Sequence, residues 1–172
     1  MAFLFFDLDK RTRDFMLEEY HYDAEKKSIY ISPRLNTLGV SQYFSHLEKA
    51  LSVGTEESFA QSLVNSFNPS EQRKTPSGRY TTYKIPANAN QTLAEGEFNR
   101  YYIRALCRRA LEDGQKILIY RSKPVSNPRA ESSKKVGQML EPSSLLTDLR
   151  NNIDHHFGLA IPNSGLSVRL VN

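Results

Sequence analysis

Five stretches of the chain place apolar residues every three or four positions, and four shorter ones read as extended segments between turn residues. KRTRDFMLEEYHYDAEKK is the first helical stretch, with Phe15, Met16, Glu19 and Tyr20 close in register. VSQYFSHLEKALSVG follows, with Tyr43, Phe44, Leu47, Ala50 and Leu51 on one face and a stop at Gly54. Thr55 then caps a third helix whose first turn carries Glu56 and Glu57, where negative charge suits the helix dipole. Its apolar stripe is Phe59, Leu63, Val64 and Phe67. The longest helix runs from Asn88 to a left-handed stop at Gly114, with Phe98, Tyr102, Ile103, Leu106, Cys107, Ala110 and Leu111 lining one face. EPSSLLTDLRNN is the fifth, with Pro142 in its first turn and Leu145, Leu146 and Leu149 inward.

SIYIS, YTTYKIP, QKILIYRSK and the tail from Leu166 to Val171 read as strands. Asn68 to Arg79 reads as a loop long enough to be mobile or held by a partner, and Pro124 to Glu131 as a second. The pattern predicts an α+β fold over residues 1–172 as a single domain: four or five helices around a small mixed sheet of short strands, with extended terminal arms. At 172 residues the chain is long enough to bury a core without staples. Nine Tyr, nine Phe and no Trp make Tyr and Phe its main aromatic filling.

Charge changes the picture more than composition does. From Arg100 to Lys135 ten basic side chains stand against three acidic ones, so that segment is +7 while the whole chain is only +4. Arg100, Arg104 and Arg108 recur every four residues on the long helix, with Arg109 beside them and Arg121 and Lys123 just beyond. Such a stripe suits phosphates, with tyrosines available to stack on bases, or an acidic surface of a neighbouring subunit. The competing reading is a solvated helix face whose arginines pair with nearby acids such as Glu97 and Glu112.

Three enzyme-like or metal-like features carry less. LFFDLDK resembles the first motif of haloacid-dehalogenase-type phosphatases, with Asp7 as nucleophile and Asp9 as acid–base. Lys10 and Arg11 crowd the turn where phosphate must sit, and the βαβ alternation of that fold is missing. Asp154, His155 and His156 lack ligand-like spacing to His21 or His46, so no metal or other cofactor is expected. Cys107, the single cysteine, sits on an apolar stripe and reads as a small buried hydrophobe in a reducing compartment. No apolar run is long enough to span a bilayer, and MAFLFFDLD is too short for a signal peptide.

The ends suggest contact with other chains. Phe3, Phe5 and Phe6 form an aromatic N-terminus over residues 1–6, and the tail over 160–172, with Leu166, Val168 and Leu170, has one charge. Ends of this kind fray unless a sheet or a neighbour holds them, so both are read as partner-contacting arms. The run LAEGEFNRYYIRALCRRALEDG (Leu93 to Gly114), followed by ILIYRSKPVSNPR and the ending PNSGLSVRLVN, resembles small uncharacterised structural and morphogenesis proteins of tailed bacteriophages. The resemblance implies a virion component near the capsid, connector or neck, assembled in the host cytoplasm. The expected function is therefore non-enzymatic assembly, with copies of itself or other virion proteins as partners. The alternative is a small cytoplasmic nucleic-acid-binding accessory protein that uses the basic helix face on the phosphate backbone.

Overall fold

The computed structural model describes residues 2–152, 159 and 163–172. Its elements in chain order are α1 (Lys10–Glu25), α2 (Thr37–Val53), α3 (Glu56–Ser62), β1 (Ser70–Lys74), β2 (Tyr80–Lys84), α4 (Ala89–Asp113), β3 (Lys116–Arg121), α5 (Ala130–Lys135), β4 (Met139–Leu140), α6 (Pro142–Asn151) and β5 (Leu166–Val171). The class is α+β, as the periodicity predicts. The details differ in two ways. There are six helices rather than four or five among the described residues, because the short polar α5 carries no apolar period. In place of one mixed sheet there are two antiparallel ones, a hairpin β1–β2 and a three-stranded sheet ordered β4–β3–β5.

Helix α4 is the axis of the molecule. α1, α3 and α6 pack against it, and the three-stranded sheet lies along it through β5 and β3. Every residue from Glu97 to Cys107 is buried, apolar and polar alike. A helix enclosed on all sides has no solvent face, so each polar group on it must be satisfied from within. The core around it joins Met16, Tyr43, Leu47, Leu51 and Phe59 from the first three helices, and Leu63 just after α3, to Ile117, Ile119, Leu166 and Val168 from the sheet. Burying one side chain of this size contributes about 1.5–3 kcal/mol.

The first three helix starts are fixed by side-chain caps. Asp9 accepts from Thr12 N at 2.8 Å to open α1, and Asn36 accepts from Gly39 N at 2.7 Å to open α2. Thr55 and Ser58 form a reciprocal capping box on α3. That helix stops at Ser62, so Val64 is exposed rather than part of a buried stripe. Leu111, near the end of α4, is likewise half exposed. Residues 28–32 run without a sheet partner, which corrects the strand expected there.

Candidate interaction site

The basic stripe of α4 is turned inward. Arg104 is fully buried, with Nε on Glu19 Oε2 at 2.8 Å, Nη1 on Asp23 Oδ2 at 2.6 Å and Nη2 on Asp23 Oδ1 at 2.9 Å. Tyr101 donates to the same Asp23 at 3.0 Å, and Arg150 of α6 reaches Glu19 from the other side with Nε at 2.9 Å. Burial alone would raise the Glu19 carboxyl, but hydrogen bonds and charge from Arg150 and Arg104 outweigh it and hold the group below its ordinary value. Arg100 is also buried and pairs with Glu97 one turn earlier. Arg108 lies between Glu18 at 2.6 Å and Glu19 at 3.6 Å, and Arg109 bonds Asp9 at 2.9 Å and Thr12 Oγ1 at 2.6 Å.

Beyond the helix, Arg121 donates to Ser164 O at 2.9 Å and Lys123 pairs with Glu95. The six residues expected to meet a partner therefore all hold parts of their own chain together. Arg100 and Arg104 have no surface to offer a phosphate. The sequence signal that could have disclosed this lies on α1, where Glu18, Glu19 and Asp23 carry charges complementary to the arginines at compatible spacing.

The terminal arms need the same correction. Leu166 and Val168 are buried in the core, and Leu170 pairs with Ile117 in the β3–β5 ladder, so the tail over 166–171 completes the chain's own sheet. At the other end Leu4 N donates to Ser122 O at 3.0 Å and Phe3 N to Glu56 Oε1 at 2.9 Å. The Phe5 ring stacks with Phe3 and packs on Phe98 and Tyr102, with centroids 5.3 and 4.6 Å away. Phe6 stays exposed but rests on Tyr120 at 5.0 Å. Met1 and residues 160–162 lie outside the described residues.

The enzyme-like residues are likewise occupied. Asp7 Oδ2 accepts from Leu170 N at 3.0 Å and Asp9 is the cap of α1, so the pair ties the first helix to the last strand. Cys107 is buried, and burial pushes its thiol up, away from the reactive thiolate. Asp154, His155 and His156 lie outside the described residues. No group of metal-ligating side chains occurs among the described residues, and no helix among them is long and apolar enough to cross a membrane.

The site that the geometry does offer is the β1–β2 ribbon. Its ten strand residues are exposed apart from the half-buried Glu71, and the two strands have each other as their main partner. The turn is set by Thr75 and Gly78: Thr75 N donates to Arg79 O at 2.7 Å and Gly78 N to Thr75 O at 2.9 Å. Gly78 sits at φ +82°, where a side chain would be strained. An isolated two-stranded ribbon is marginal in water. This one is pinned at its root, where Arg34 grips Glu71 in a fork at 2.9 and 3.0 Å and Asn68 N donates to Arg34 O at 2.9 Å. Hydrogen bonds from Arg34 and Arg73 hold the Glu71 carboxyl below its ordinary value.

Register separates the two faces of the ribbon. Glu71 opposes Tyr83 and Arg73 opposes Thr81, so one face carries the Arg34–Glu71–Arg73 group with Arg73 over the Tyr83 ring at 5.2 Å. The other face carries Gln72, Lys74, Tyr80, Thr82 and Lys84 and no acid. Neither lysine makes an ion pair among the described residues, and Tyr80 is 69% exposed. Over residues 70–84 four cations face one carboxylate, a net +3. Comparison with protein-family models, curated proteins and solved structures finds no match for the chain.

Proposed function

We propose that this chain is a non-enzymatic assembly protein of a tailed-phage particle, in the capsid, connector or neck, and that copies join through the β1–β2 ribbon. The observation that carries the reading is the outward ribbon face of Lys74, Tyr80 and Lys84, which the chain's own body leaves uncovered. The particle assignment draws its support from the sequence resemblance alone. A complementary surface exists on the same molecule: Glu56 and Glu57, beside the Lys123-paired Glu95, line a recess of about 420 Å³ between α3 and the start of α4. Burial pushes the Glu56 carboxyl up, and the charges of Glu57 and Glu95 add to that, so an approaching lysine relieves the crowding. Joining the basic ribbon of one copy to the acidic recess of another gives an assembly weakened by salt.

The test is the solution mass of the full chain by light scattering at low and high salt, beside a variant with residues 71–84 replaced by a short Gly-Ser linker. Oligomers that are lost in the variant and shrink with salt support the reading. A monomer at every concentration contradicts self-assembly.

A nucleic-acid partner is the second reading, favoured by the ribbon's charge and by its two-stranded form, which a major groove admits. It moves the contact from the α4 arginines to Arg79, Lys74 and Lys84. Affinity for duplex DNA that falls steeply with salt and is lost on removing the ribbon would favour it.

A further inference from the structure

The β1–β2 ribbon has two open edges, and its hydrogen bonds fix which groups stand on them. Ile85 N donates to Pro69 O at 3.2 Å at the root, and Thr75 N to Arg79 O at 2.7 Å at the turn. With Glu71 opposite Tyr83 and Arg73 opposite Thr81 between them, the odd-numbered residues exchange the bonds within the ribbon. The even-numbered residues therefore aim their N–H and C=O groups outward: Ser70, Gln72 and Lys74 along β1, and Tyr80, Thr82 and Lys84 along β2. No third strand pairs with either edge among the described residues.

Two observations single out the β2 edge. The first is composition. β2 reads Tyr-Thr-Thr-Tyr-Lys, four residues of the types that strands favour, yet all five positions are exposed. Such residues stabilise a strand by packing on cross-strand neighbours, and this strand has them on one side only. β1, Ser-Glu-Gln-Arg-Lys, has none of those types, and its Glu71 is already held by Arg34.

The second is how β2 meets itself. Antiparallel pairing with β2 of a second copy, centred on Thr82, sets Thr82 opposite Thr82 and each Tyr80 opposite the other copy's Lys84. In each of these pairs the two residues face each other with outward N–H and C=O groups, so both bonds are exchanged. Tyr80 already faces its own Lys74 across the ribbon. In the joined sheet its ring lies between that lysine and the second copy's Lys84, which suits the ring's negative face and sets no lysine directly opposite another. On the reverse side Tyr83 meets Thr81. Pairing β1 with itself would set Ser70 opposite Lys74 and Gln72 opposite Gln72, and its one charged pair, Glu71 with Arg73, is already made within the chain.

We infer that two copies join edge to edge through β2, giving a twofold, four-stranded sheet ordered β1–β2–β2–β1. The inference rests on the reading of the ribbon as the element that joins copies, and deepens it. The edge makes the pair, and the lysine face stays open for the acidic recess. Pairing over one short strand is a small interface, in the weak class below about 1,200 Å², so the dimer forms and dissociates with concentration.

Sedimentation velocity of the full chain over a concentration series at high salt tests it, because main-chain bonds persist where the lysine–carboxylate contact is screened. The parent should form dimers. Thr82→Pro removes an outward N–H and none within the ribbon, so it should keep the parent's circular dichroism and weaken dimerisation at least tenfold. Gln72→Pro, the same change on the β1 edge, should leave dimerisation unaltered. Thr82→Cys should cross-link to itself on mild oxidation, since the central pair sets its Cα atoms about 5.5 Å apart, within disulfide reach. Cys107 is buried and takes no part. Lys74→Glu with Lys84→Glu strikes edge and face together, since it sets a carboxylate on each side of Tyr80, and so does not separate them. Dimers that survive Thr82→Pro, dimers lost in Gln72→Pro, or Thr82→Cys that fails to cross-link overturn pairing through β2. Oligomers at low salt that become monomers at high salt overturn it too, and leave the contact between ribbon face and recess standing. A monomer at every salt overturns both.

Discussion

Helix α4 and the β1–β2 ribbon are both rich in cations and tyrosine, yet they use them in opposite ways. On α4 two arginines enter the core and meet carboxylates there, Arg104 with Glu19 and Asp23 and Arg100 with Glu97, while Arg108 meets Glu18 at the rim. On the ribbon Lys74 and Lys84 make no ion pair among the described residues and sit on the face without an acid. The difference follows from what surrounds each element. A helix packed by α1, α3, α6 and a sheet leaves no water for its polar groups, so their partners must come from the protein. A ribbon with both faces in solvent leaves its charges hydrated and available. Density of basic residues along a chain therefore says little about where a binding surface lies, and enclosure of the element decides it.

The comparison breaks most directly at Arg104. Arg104→Leu strands Glu19 and Asp23 in the interior, and removing one partner of such a group costs about 3–5 kcal/mol. Thermal unfolding should show the midpoint falling by about 10 °C, given about 2–4 °C per kcal/mol for a chain of this size. An unchanged midpoint would mean that the arginine is not holding the interior together.

Glu19→Gln should cost about 2–3 kcal/mol at pH 7, since Arg104 and Arg150 lose a charged partner. Its pH dependence has a definite sign. Glu19 is held below its ordinary value in the folded chain, so its contribution is complete above the unfolded-state value, about 4.3 for glutamate. That contribution is lost as the pH falls through the lowered folded value. The gap between parent and variant, read from urea unfolding across pH 7 to 3, should narrow on acidification. A gap that widens would contradict the network.

Gly96→Ala sharpens the boundary of the enclosed run, because Gly96 is the last residue of α4 before burial becomes continuous. It should raise stability by about 0.5–1 kcal/mol in the same urea series. A loss would mean that the position is already packed. Lys74→Glu with Lys84→Glu should change stability least, within about 0.5 kcal/mol, as exposed substitutions do. Its effect belongs to association rather than to folding.

Much of the fold was legible where apolar spacing was strong. The helices at 10–25, 37–53 and 142–151, the Thr55 cap, the Gly114 stop and the strand over Leu166–Val171 all follow from residues in the chain. β1 escaped because Ser-Glu-Gln-Arg-Lys has no apolar alternation, since neither of its faces is buried. The Pro-Ser-Gly turn next to YTTYK was the available hint of a hairpin. SIYIS alternates like a strand but finds no neighbour, since alternation reports a half-buried face and not a sheet.

The site was hardest to read, because a four-residue spacing of arginines places them on one face without saying whether that face meets water or α1. Only pairing them with Glu19 and Asp23, 85 and 81 residues away, distinguishes the two.

The division of labour between buried helix and exposed ribbon is tested most directly by sedimentation velocity of the parent chain beside Lys74→Glu/Lys84→Glu, at equal concentration and low salt. The account predicts that the parent sediments as an oligomer and that the double variant sediments as a folded monomer with an unchanged unfolding midpoint. Equal sedimentation of the two would contradict it.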